Sequence, residues 1–202
     1  MLSQYRVKTR FWPLLAVLVV PALCSADVSR GVVPENGLKY WEWRGEGALF
    51  RLTQRLPDQT RAFFLARGFS ASDADFIARQ CVFQSMLQNV AEAGTGPLTY
   101  DLDAWRVHDG EHANALLTRE HWDRLWQDRN VAPAQRIAFE WSLLPTEQSY
   151  LSGDYNWGMT SYGLKPGTRF DLVFSWKMRG KQHTGRIDGI ECPEDRHPEP
   201  AS

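Results

Sequence analysis

"ARQCVFQSM", residues 78–86, sets a cysteine five positions before a methionine in a stretch whose period decides the fold. Read as a helix, it turns about 100° per residue, so Met86 lies roughly 140° around the axis from Cys81 and the two cannot share an ion. Met86 aligns instead with Phe76, Phe83, Leu87 and Val90 in one broad apolar face, as a core stripe does. Cys81 falls on the opposite side with Ala74, Ile77 and Ala78, where small side chains admit a close neighbour. Ser72, with Asp75 three residues on, marks the start of this helix, and EAGTGP at 92–97 places its end near Ala91.

Working outward, PDQTRAFFLARG (57–68) predicts a shorter helix with Pro57 in its first turn and Gly68 as its stop. Before it, LKYWEWRGEGALFRLTQRL (38–56) alternates around a Gly-Glu-Gly turn and reads as a strand, a turn and a second strand or helix lead-in. Beyond residue 97, LTYDLDAWRVHDGEH (98–112) alternates again, and Thr118 precedes a helix that sets Trp122 and Trp126 on one face. Four later runs, RIAFEWSLL (136–144), NWGMTSY (156–162), TRFDLVFSWKM (168–178) and HTGRIDGIEC (183–192), read as strands separated by Gly and Pro. The expected class is α+β. A mainly antiparallel sheet or sandwich fills the C-terminal half of a single domain, 27–193, with a helical segment at about 57–91 packed on it. The polar, proline-rich residues 194–202 read as a disordered tail.

The N-terminus has a different character. Arg6, Lys8 and Arg10 precede the apolar run FWPLLAVLVVPAL and the small-residue sequence CSAD, the order of a secretory signal peptide cleaved after Ala26. The run is shorter than the ~20 residues of a membrane span. An uncleaved anchor, or lipidation of Cys24 despite the preceding Leu23, is the competing reading; otherwise membrane contact is confined to the export signal. Removing residues 1–26 takes away three cations and no acid, moving the formal charge from −1 to −4. No basic block remains, so phosphate-neutralising contacts to nucleic acid lack their electrostatic basis. Beyond the leader only Cys81 and Cys192 are left, and two cysteines in an oxidising compartment predict a disulfide.

The sequence carries no nucleophile elbow, phosphate-binding glycine loop or zincin helix. His108, His112 and His121 lie within fourteen residues and are the candidate ligands for copper or zinc, with Met159, Met178 and His183 as a softer set suited to copper. Glu42, Glu46, Asp171 and Asp188 are the acids available for glycan hydrolysis. Eight tryptophans follow the leader. Trp41 with Trp43, Trp122 with Trp126, and Tyr155 with Trp157 in a loop-like run are candidate ligand-stacking surfaces. These features favour an exported, non-enzymatic binding or accessory protein without a cofactor, periplasmic or secreted, that meets a partner protein or small ligand through aromatic residues. An envelope protein handling copper or zinc and a glycan-acting hydrolase are the alternatives.

Overall fold

In the computed structural model, which describes residues 27–110 and 112–196, the chain leaves helix at Ala78, well short of Ala91. Its strands and helices are β1 (Asp27–Val32), β2 (Lys39–Gly45), β3 (Ala48–Gln54), α1 (Pro57–Leu65), α2 (Ala71–Ala78), β4 (Val82–Asn89), β5 (Leu98–Asp101), β6 (Arg106–Asp109), β7 (His112–Asn114), α3 (Arg119–Asp128), α4 (Pro133–Ser142), β8 (Glu147–Tyr150), β9 (Tyr155–Ser161), β10 (Arg169–Met178) and β11 (Lys181–Glu191). The expected leader, residues 1–26, and residues 197–202 lie outside the described residues.

The expected helix over 72–91 is therefore a helix followed by a strand. Its cap is Ser70, whose Oγ accepts from the Asp73 amide at 3.1 Å. Cys81 adopts a left-handed φ of 52° and turns the chain into β4. There Phe83, Ser85, Leu87 and Asn89 point inward while Gln84, Met86 and Gln88 are half-buried on the other face. Phe83 and Leu87, four apart, satisfy both a helical and a strand period. The two polar residues between and beyond them find partners across the fold: Ser85 Oγ lies 2.6 Å from Thr160 Oγ1, and Asn89 Nδ2 donates to the Tyr150 carbonyl at 3.0 Å, while Asn89 Oδ1 accepts locally from the Ala91 amide at 3.1 Å. Burial without those bonds would cost roughly 1–3 kcal/mol per group.

Five strands form a first antiparallel sheet in the order β1-β2-β3-β4-β9. In the second, β10 pairs β11 along one edge and β6 and β5 along the other, with β7 and β8 outermost. Sheet is thus spread along the chain and not confined to its C-terminal half. The sheets face each other through an aromatic core, in which Phe174 meets Trp43, Phe50, Trp105 and Trp176 with ring centroids 5.1–5.7 Å apart. A second core lies between the four helices and the outer face of the first sheet, where Phe64, Phe69, Trp122, Trp126 and Phe139 join Val82 and Met159. RIAFEWSLL, expected as a strand, is mostly α4 and its exit. Pro133 opens this helix, and Phe139 packs on Trp122 and Trp126 at 4.9 and 5.2 Å.

Cys81 and Cys192 are bonded, with Cα atoms 5.2 Å apart. Because Cys81 precedes β4 and Cys192 follows β11, the bridge ties one sheet to the other. Two ionic clamps flank it. Arg61, largely buried, bonds Asp58 and Asp75, each at 2.8 Å, and Asp195 at 3.0 Å, which holds the first part of the expected tail. Glu191 accepts from Lys39 and Arg169.

The Lys39 hydrogen bond, followed by that of Arg169, outweighs desolvation and holds the Glu191 carboxyl below its ordinary range. A carboxylate lowered in the folded state stabilises above its unfolded pKa, and that contribution disappears as pH falls through the folded one. Glu191→Gln is therefore expected to lower stability at pH 7 by up to ~1 kcal/mol, the scale of a surface pair. The difference should shrink below pH 4 in urea titrations.

Candidate functional site

The residues opposite one another in an antiparallel ladder share a face, so the register gives the outer surface of the first sheet row by row. One row reads Ser29, Glu42, Arg51, Met86, Trp157. The next reads Asp27, Arg44, Leu49, Gln88, Tyr155, and on the other side comes Gly31, Tyr40, Thr53, Gln84, Met159. Met159 is buried beneath the helices, whereas Trp157 and Tyr155, two and four residues earlier on the same face of β9, are 64% and 58% exposed. The helices cover one end of the face and leave the other open. Toward its centre Arg51 lies over the Tyr40 ring at 4.0 Å and within 3.6 Å of Glu42.

At the covered end, Leu143 forms a parallel bridge with Met159. Trp141, in the last turn of α4, and Trp157, on β9, each precede that bridge by two residues. Trp141 is 83% exposed, and Ile137, one helical turn before it, is 55% exposed. Of the nine large apolar side chains exposed among the described residues, five lie between Ile137 and Trp157, Leu151 being the fifth.

The backbone adds a second feature. Leu144 donates to the Met159 carbonyl and Leu117 to that of Ser161, so odd-numbered residues of β9 direct their polar groups away from β4. At Trp157 the amide is met by Asn156 Oδ1 at 2.8 Å, and the Tyr155 and Trp157 carbonyls face outward along the edge. Outward carbonyls on an edge strand are acceptors for an added strand. Gly158 fixes this arrangement, because a Cβ there would meet the Leu144 nitrogen at 2.3 Å as the chain crosses from helix to sandwich. Set against known protein families, curated proteins and solved structures, the chain matches none.

Of the other expected site residues, Trp41 and Trp43 are core side chains, 4% and 3% exposed, and offer no platform. Both project between the sheets because the inward positions of β2 are the odd ones. Trp122 and Trp126 stack on each other at 5.1 Å inside the helical core. His108 shares a face with Ala113 and His112 with Asp109, so the β6–β7 ladder sends these imidazoles to opposite sides. His121 is exposed on α3, its ring 6.5 Å from that of Trp122. No group of three His, Cys, Asp or Glu side chains suited to a metal occurs among the described residues.

Asp171 and Asp188 both bond Arg186, which raises the pKa of that guanidinium, the Asp188 bond first among the causes. Two carboxylates sharing one cation are arranged as an ion pair. Glu46 lies 3.6 Å from His183 Nδ1. Sequence reasoning missed Trp141 and Ile137, because RIAFEWSLL reads as a strand and folds as α4.

Proposed function

We propose that this chain is an exported, non-enzymatic binding module that takes an extended peptide segment of a partner protein along the Tyr155–Trp157 edge of β9. The observation that carries the reading is the exposure of Trp141, Tyr155 and Trp157 beside outward-facing strand backbone. Strand addition draws affinity from main-chain hydrogen bonds and specificity from alternate side chains, which here would rest against the two indoles and Met86. Trp, Tyr, Met and Arg are the residues enriched where proteins meet. The buried disulfide supports an oxidising compartment. No helix among the described residues is long and apolar enough to cross a membrane.

A panel of eight-residue peptides with alternating apolar side chains tests this by tryptophan emission. Binding is expected to shift the exposed indoles to the blue, saturably. Trp157→Ala should weaken it by about tenfold or more, the scale of an interface hot spot, while leaving thermal stability within about 0.5 kcal/mol of the parent, as for an exposed position. A shift that survives the Trp141→Ala, Trp157→Ala double variant, or no response to any peptide, would count against the site.

A further inference from the structure

The sandwich is open at the end where two hairpin turns meet. The β2–β3 turn is Glu46-Gly47, with φ of 42° and 76°, and the β10–β11 turn is Arg179-Gly180, with φ of 52° and 71°. Two-residue turns with positive φ at both positions favour Asn, Asp or Gly at the first, so Glu46 and Arg179 occupy places that backbone preference assigns to other residues. Non-glycine residues are uncommon in this region of backbone conformation. Arg179 bonds the Thr95 carbonyl at 3.3 Å and its hydroxyl at 3.2 Å, which anchors the 92–96 loop. Glu46 reaches across to the other sheet.

Between the turns is a cleft of about 510 Å³ lined by Glu46, Met178, His183, Glu92, Arg179 and Lys181. Met178 tucks under the Glu46 turn, because Gly47 has no side chain: a Cβ there would stand 2.7 Å from the Met178 sulfur. Register places Met178 two residues from Trp176, the partner of His183, so thioether and imidazole are diagonal neighbours on one face. His183 is largely withdrawn from solvent and stacks on Trp176, centroids 5.5 Å apart and planes inclined by 15°. His183 Nδ1 and Glu46 Oε2 are 3.6 Å apart. That is longer than a hydrogen bond and close to the roughly 3.4 Å that separates two ligands held at ~2.05 Å on one tetrahedral ion.

We propose that this cleft is a copper site built from the His183 imidazole, the Glu46 carboxylate and the Met178 thioether. Imidazole and carboxylate alone would suit zinc equally, and the buried thioether is what turns the preference to copper, Cu(I) above all. The site is independent of the peptide edge, which lies on another face of the first sheet. Trp176 supplies its reporter, since an ion on the stacked imidazole quenches that indole.

The test titrates the full, disulfide-bonded chain with Cu(I) from a competing chelator and, separately, with Zn(II), following Trp emission and bound metal. One equivalent of Cu(I) with quenching is expected. The near-isosteric Met178→Leu should lower Cu(I) affinity by about tenfold or more and leave zinc affinity in place, and His183→Gln should abolish the quenching. His108→Ala with His112→Ala should change neither. The site is refuted if Met178→Leu and His183→Gln variants, folded by circular dichroism, keep the parent's Cu(I) affinity, or if the tight equivalent is lost with His108 and His112 instead.

Discussion

Replacing Cys81 and Cys192 by alanine is expected to remove up to ~4.8 kcal/mol of stability, the chain-entropy value for closing a loop of this length. The two cysteines are 111 residues apart, and the bridge joins the first sheet to the second at the mouth of the aromatic core. Total stabilities of ordinary domains are about 5–15 kcal/mol, so this one bond is comparable with the margin by which the chain folds. For a domain of this size the loss corresponds to a fall in Tm of roughly 10–20 °C. Both cysteines are buried. A thiol reductant should therefore act slowly on the native protein and rapidly in denaturant, because attack needs an exposed sulfur. Equal Tm values for the parent and the double alanine variant would show that the sheets are held together without the bridge.

Phe174→Ala is expected to cost about 3–5 kcal/mol, the range for removing a fully buried aromatic ring. The ring touches four other aromatic side chains and covers Gly185, its partner on β11. A Cβ built on Gly185 would lie 2.4 Å from Phe174 Cζ, so the glycine exists to accept the ring. Gly185→Ala should then cost ~1–3 kcal/mol through overpacking in the parent. In the Phe174→Ala background it should cost much less, because the added methyl enters the space the ring left. Denaturant unfolding of the four proteins gives the coupling between the sites directly. Additive losses would mean that the two positions do not share the space described.

Several elements were legible in the sequence because one physical requirement fixed each of them. Pro57 and Gly68 bracketed α1, the Glu46-Gly47 turn lay between two alternating runs, and two cysteines beyond the expected leader implied one bridge. Phe170, Leu172, Phe174 and Trp176 share the inward face of β10, as their alternation required. The candidate site was half legible. Tyr155 and Trp157 are exposed as expected, but they lie on a strand and not in a loop. The exposure of Trp141 and the burial of Trp41 were out of reach, since composition does not say which face of an element finds a partner.

The sequence by itself determined the α+β class and the pairing of Cys81 with Cys192, because each depends on residue type or on a choice with a single outcome. Only the tertiary structure decided the period of residues 82–89. Phe83 and Leu87, four apart, fit a helix and a strand alike, and local preference does not separate the two. The decision came from β3 and β9, which supply backbone partners on both sides, and from Thr160 and the Tyr150 carbonyl, which satisfy Ser85 and Asn89. Residues far away in the chain make those bonds, so the strand forms only when the rest of the fold is there to complete it.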